Sequence, residues 1–247
     1  MKSRRPGPML RGNDPGDLLM AFLRTLSCAA LLAAGPALAK PTLLEKLQAQ
    51  APEADARVLA LALQARECAL ASAPSARRLA VIDYSRPSTE PRLWVFDLDQ
   101  GRLLFAEHVA HGQGSGGNIA TDFSNREGSH QSSLGLFRTG ETYHGGNGYS
   151  MRMDGLEPGV NDAARDRLIV MHGAPYVNPL AAAVQGRLGR SYGCPAVRPE
   201  VARRVIDTLK QGQLIFAYYP DPGWLDSSRF LGCGRDAQRR VDTAHRT

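Results

Sequence analysis

A chain of 247 residues with 43% hydrophobic and 22% charged side chains can bury a core, which excludes a disordered, collagen-like or disulfide-scaffold polypeptide. The formal charge is +6, but Lys2, Arg4, Arg5, Arg11 and Arg24 against Asp14 and Asp17 place a net +3 before residue 40. The rest is scattered among single arginines, without the basic stripe and interleaved aromatics that grip a phosphate backbone, so no nucleic-acid partner is expected.

The chain opens with a basic segment, a 14-residue apolar run over 26–39 and the small-residue sequence Ala37-Leu38-Ala39 before Lys40. That order reads as a secretory signal over residues 1–39, and the run is shorter than the roughly 20 residues a membrane-spanning helix needs. No later stretch is long and apolar enough to span a bilayer. The expectation is an exported protein of the periplasm or cell envelope, with no transmembrane span after signal cleavage. Residues 40–76 carry Val58, Leu61, Ala65 and Cys68 at three- and four-residue spacing, with Pro41 and Pro52 near helix starts, and so predict an N-terminal helical arm. From residue 79 the texture changes to short apolar runs divided by turn residues. Strands are predicted at 79–84, 92–98, 103–110, 133–139, 150–154, 167–172 and 213–219, with Asp99-Gln100-Gly101 as a hairpin turn. Helices are predicted at 179–185 and at 199–210, where Gly212 stops the second. Many strands with few helices between them predict a mainly β, largely antiparallel domain over 77–233, with a polar tail over 234–247.

Export makes disulfides the default state of paired thiols. Cys68, Cys194 and Cys233 remain after the signal, an odd number. Cys194 lies in a Gly/Pro-rich turn and the other two lie near the ends of the mature chain, so Cys68 to Cys233 is the natural pairing; two other pairings stay formally open.

Two familiar motifs fail on context. Gly112-Gln113-Gly114-Ser115-Gly116-Gly117 has the dinucleotide spacing, but no helical period follows to seat a pyrophosphate, so it reads as a loop. Gly189-Arg190-Ser191-Tyr192-Gly193 has the serine-hydrolase spacing, but no strand precedes Ser191 and no suitable histidine follows. The neighbouring thiol is the stronger candidate. Cys194 sits between Gly193 and Pro195, in a turn whose amides are expected to face a developing oxyanion. His172 ends an apolar strand 22 residues upstream, far enough for the chain to turn and bring the thiol back beside the imidazole. A thiol with an ordinary pKa of about 8.5 needs such a partner to react at neutral pH. The histidines and cysteines lack paired metal-ligand spacing, so neither metal nor cofactor is expected.

Met171-His172-Gly173, followed by Gly186-Arg187-Leu188-Gly189-Arg190-Ser191-Tyr192-Gly193-Cys194-Pro195, resembles the YkuD-type L,D-transpeptidase catalytic domain, with its His-Gly and Ser-x-Gly-Cys signature. Ser132-Ser133-Leu134-Gly135-Leu136-Phe137 is similar to the family's upstream strand. His111-Gly112 and Asp154-Gly155-Leu156-Glu157-Pro158-Gly159 point to the divergent branch called the murein L,D-transpeptidase catalytic domain family. The resemblance covers about residues 79–220 and implies a β-sandwich or barrel acting on peptidoglycan stem peptides. It implies Cys194 as nucleophile, His172 as proton carrier and Gly193 with Cys194 as oxyanion donors. Better-studied members carry a second histidine where Tyr192 stands and an arginine where Ala196 stands, with Arg198 two places on. Arg187 and Arg190 are the expected carboxylate ligands, and Tyr192 and Ser191 are expected at the substrate cleft. Transpeptidation leads; an L,D-carboxypeptidase or cross-link hydrolase on the same thiol, and a non-catalytic wall-binding module, are the alternatives.

Overall fold

The computed structural model describes residues 40–71 and 73–233; the expected signal and polar tail lie outside them. Two helices begin the described chain, each opened by a side-chain cap. Thr42 and Glu45 form a capping box at the start of α1 (Leu43–Gln50), and Asp55 caps α2 (Ala56–Ala69) after the break at Pro52. The buried face of α2 is Val58, Leu59, Ala62, Ala65 and Ala69, while Leu61 and Cys68 are half-buried. The helical face is therefore turned by about one residue from the expected stripe. These helices share one core with the strands: Leu47, Val58 and Leu59 pack in the same cluster as Leu79, Phe96, Phe216 and Ile215.

The strands are β1 (Arg78–Asp83), β2 (Leu93–Asp97), β3 (Arg102–Glu107), β4 (Gly135–Gly145), β5 (Gly148–Gly155), β6 (Val170–Gly173), β7 (Ala196–Val197) and β8 (Leu214–Tyr218). They form one sheet in the order β3-β2-β1-β8-β4-β5-β6-β7. Among the described residues, β1 pairs with β8 and β6 with β7 in parallel, and the other pairings are antiparallel. The fold is the mainly β, largely antiparallel architecture expected, with the two parallel pairings making the sheet mixed. Just past β3, the Ala110 N–H donates to the Ala196 carbonyl in β7 at 2.8 Å, so the two edges of the sheet meet and nearly close a barrel.

Parallel neighbours cannot be joined by a tight turn, so the link from β6 to β7 must cross over. It does so through α3 (Pro179–Gln185), capped by Asn178 and ended by the left-handed Gly186, and it delivers Cys194 two residues before β7. A small apolar cluster of Ala174, Val177, Ala182 and Leu188, with Ala110 and Ala196, fixes this crossover to the sheet. Helix α4 (Pro199–Leu209) then buries Val201, Val205, Ile206 and Leu209 and returns the chain to β8. The strand expected at 167–172 begins only at Val170, because Leu168 takes a positive φ of 57° and ends a run of turns. No helix among the described residues is long and apolar enough to cross a membrane.

Cys68 and Cys233 are bonded across 165 residues, with their Cα atoms 5.9 Å apart, so the first helices are tied to the end of the described chain. In the chain-entropy model a loop this long is worth about 5 kcal/mol. The expected outcome for the Cys68→Ala/Cys233→Ala pair is a loss of that order in denaturant unfolding, with Cys194 alkylation in the native state unchanged. A stability equal to the unsubstituted protein would remove the clamp.

Candidate active site

The β6–β7 register sets His172 opposite Ala196, and two residues back along each segment Cys194 lies beside Val170. The Val170 N–H donates to Cys194 Sγ at 3.5 Å and the thiol donates to the Leu168 carbonyl at 3.7 Å. His172 is buried, and its Nδ1 lies 3.0 Å from the Gly173 carbonyl. A carbonyl only accepts, so Nδ1 carries the proton and Nε2 presents its lone pair. Both side chains line one cavity of about 530 Å³, whose wall also includes Arg167, Arg190, Tyr176 and Tyr192. No direct His172–Cys194 hydrogen bond forms; the sulfur is engaged by the β6 backbone and its approach.

Burial pushes the Cys194 thiol up, against the smaller opposing pulls of the Val170 amide, the Arg167 charge and its own amide. Burial also pushes His172 down, against the Gly173 carbonyl that favours its proton. Both groups are therefore neutral at rest. Burial, helped by the thiol nearby, pushes the Tyr176 phenol up to about 12, so it remains a hydrogen-bond donor on the cavity wall.

The turn around the thiol is held from inside. Ser191 Oγ donates to the Cys194 carbonyl at 2.7 Å and accepts from the Gly193 N–H at 3.1 Å. Ser191 is thus a brace for the turn, and the Gly193 amide expected for an oxyanion is already occupied. The Tyr192 amide donates to no acceptor among the described residues, and the Cys194 amide faces only its own sulfur. Gly193 is required by the backbone: its φ is +120°, and a Cβ there would lie 2.8 Å from the Gln131 carbonyl and 2.9 Å from Ile169. Ser132 Oγ donates to the Gly193 carbonyl at 3.0 Å and locks the turn to the neighbouring loop.

Tyr192 reaches the cavity, is 68% exposed, and stacks on His130 with ring centroids 4.4 Å apart. Arg190 also reaches it. Arg187 does not line it and donates to the Leu188 carbonyl. Arg198 is committed elsewhere, in a two-pronged pair with Glu107 at 2.8 and 3.0 Å. Arg167 was legible only as the edge of a predicted strand. Its guanidinium donates to the Gln131 carbonyl at 2.7 Å and to the Ser129 and Ser133 hydroxyls, and it lines the cavity without a carboxylate partner among the described residues.

A fully buried pair lies behind the site. Arg92 donates to the Val109 and Arg86 carbonyls and to His111 Nδ1 at 2.7 Å, with its guanidinium over the Tyr84 ring. Burial, reinforced by the Arg92 charge, depresses His111 to about 4.

The match to known families agrees with the resemblance. Residues 50–218, more than half of the chain, match the L,D-transpeptidase catalytic domain. The chain belongs to that family. No curated protein matches its sequence. Similar solved structures include an L,D-transpeptidase from Mycobacterium smegmatis at 16% identity, covering 58% of this chain and 59% of that one with a TM-score of 0.36. The L,D-transpeptidase LdtMt1 in complex with imipenem is 16% identical, covering 57% and 59% with a TM-score of 0.34. An L,D-transpeptidase from Stackebrandtia nassauensis is 14% identical, covering 72% and 77% with a TM-score of 0.35. The chain spans less than two thirds of the length of the first two.

Two pH dependences follow. Cys194 alkylation by iodoacetamide should rise along one titration centred above the ordinary thiol range, without the plateau near pH 6 of a preformed thiolate–imidazolium pair. Arg167→Gln should move that midpoint further up. For stability, His111 is neutral in both folded and unfolded chains above about pH 6.5, whereas between about 6.5 and 4 only the unfolded chain takes the proton. Unfolding free energy should therefore fall as pH drops through that window, by about 3 kcal/mol from this group, and His111→Gln should flatten the slope in urea titrations at pH 7 and 4.5.

Proposed function

We propose that this chain is an exported cysteine acyltransferase that remodels peptidoglycan stem peptides through a thioester on Cys194. The observation that carries the reading is the free thiol sharing a cavity with an imidazole whose Nδ1–H is tied to the Gly173 carbonyl, leaving Nε2 as the base. The disulfide between Cys68 and Cys233 is compatible with export.

In the donor half-reaction the Cys194 thiol turns from the Leu168 carbonyl and gives its proton to His172 Nε2 as sulfur attacks the carbonyl carbon of the third stem residue. The Cys194 amide, with the Tyr192 amide beside it, supports the oxyanion, while Gly193 and Ser191 hold the turn in shape. The C–N bond breaks, His172 returns the proton to the departing D-Ala nitrogen, and a thioester remains. In the acceptor half-reaction an amine attacks the thioester carbon and passes a proton through His172 to the leaving sulfur. A new amide forms and the thiol is restored. The neutral resting pair suits this route, because the proton moves only when a carbonyl is in place. Arg190 and Arg167 supply positive charge for substrate carboxylates, and Tyr176 and Tyr192 supply ring surface for the peptide.

The test is mass spectrometry of the full chain after exposure to a carbapenem and, separately, to tetrapeptide stems. Expected are a drug adduct absent from Cys194→Ala, and cross-linked dimers with released D-Ala. Free tripeptide in place of dimers would make the protein a hydrolase on the same thiol, and no adduct on folded, reduced protein would overturn the nucleophile.

A further inference from the structure

Arg190 is held in the cavity through one edge only. Its NH1 donates to the Gly116 carbonyl at 2.6 Å and to the Gln113 carbonyl at 3.2 Å, while Nε–H and the second amino group donate to nothing among the described residues. The Gly116 carbonyl has a second donor. Arg92 can only donate, so its 2.7 Å contact makes His111 Nδ1 the acceptor and leaves the His111 proton on Nε2, which faces Gly116 O at 3.4 Å. One carbonyl thus receives both the buried imidazole and the cavity guanidinium. The backbone on either side repeats the link. The Ser191 N–H donates to the His111 carbonyl at 3.0 Å, and the Gln113 N–H donates to the Ser191 carbonyl at 2.8 Å. Gly116 has φ +137°, and a Cβ there would lie 2.4 Å from the Ile119 carbonyl, so the carbonyl it presents is fixed by a backbone that other residues rarely adopt.

Both partners behind that carbonyl are expensive to bury. Arg92 and His111 are fully buried, and Arg92 has no carboxylate in ion-pair range among the described residues. A leucine and a phenylalanine would fill such space at lower cost, so the pair needs a reason beyond packing. We infer that His111, backed by Arg92, is a positioning residue for Arg190: through the shared Gly116 carbonyl it turns the free edge of the Arg190 guanidinium toward a substrate carboxylate. A guanidinium pinned on one side offers its remaining N–H pair as a two-pronged carboxylate ligand, with little orientational freedom left to lose. The recognised class is a peptide with a free carboxylate near the scissile amide. This rests on the reading of the cavity as the substrate site.

Binding is the readout, so the result does not depend on acyl transfer. In a full-length Cys194→Ala background, calorimetry would compare a tetrapeptide stem with its fully amidated form. The unmodified site should prefer the acid, and Arg190→Gln should abolish the preference. His111→Phe, which removes both ring nitrogens, should reduce the preference about tenfold while leaving affinity for the amide within about twofold. His111→Gln, which can accept from Arg92 and donate to Gly116, should restore most of it. A merely structural role would lower acid and amide affinities together. That result, an unchanged preference in His111→Phe, or no acid preference in the parent, would overturn the inference. Failure of the acyl-transfer reading shows separately, as a missing carbapenem adduct on the protein that retains Cys194.

Discussion

The parallel pairing of β6 with β7 is the constraint on which the site depends. Two parallel strands side by side force a long excursion between them, and here that excursion starts just after His172 and ends at Cys194. His172 and Cys194 are far apart along the chain because the topology between them needs a crossover through a helix. They share one cavity because the register of two strands is a short ruler. The small apolar cluster beneath α3 and the brace from Ser191 keep the returning chain from drifting along that ruler.

The chemistry of the cavity follows from what was left out of it. Among the described residues its wall contains two arginines and no carboxylate, although Arg77, Arg86 and Arg198 elsewhere are paired with Asp or Glu. Burial favours the neutral thiol and imidazole, and the nearby guanidinium pulls the thiol back only in part.

Much of the fold and part of the site could be read from residue order. Alternating apolar runs and the Asp99-Gln100-Gly101 turn marked the β2–β3 hairpin because those signals are local. The Cys194 turn was legible because glycine and proline flank a thiol, and the spacing to His172 allowed a return. Pairings between distant segments were not legible: nothing in 79–84 or 213–219 says that they lie parallel. Strand β7 is two residues long and carries no periodicity of its own. Arg167 was hidden at the edge of a predicted strand because its partners are carbonyls and hydroxyls from a loop, a set that leaves no pattern. Arg187 and Arg190 look alike in sequence and differ only because Gly116 presents a carbonyl to one of them.

The bridge between Ala110 and Ala196 has a consequence for how a peptide can approach. Extended peptides are often recognised by lying along an open strand and borrowing its backbone donors and acceptors. Here the outer flank of β7, next to the thiol, already has its carbonyl taken by the Ala110 amide, and the following segment takes Ser191 in the same way. That flank is no template. A peptide entering the cavity must instead be held through its own polar ends and side chains.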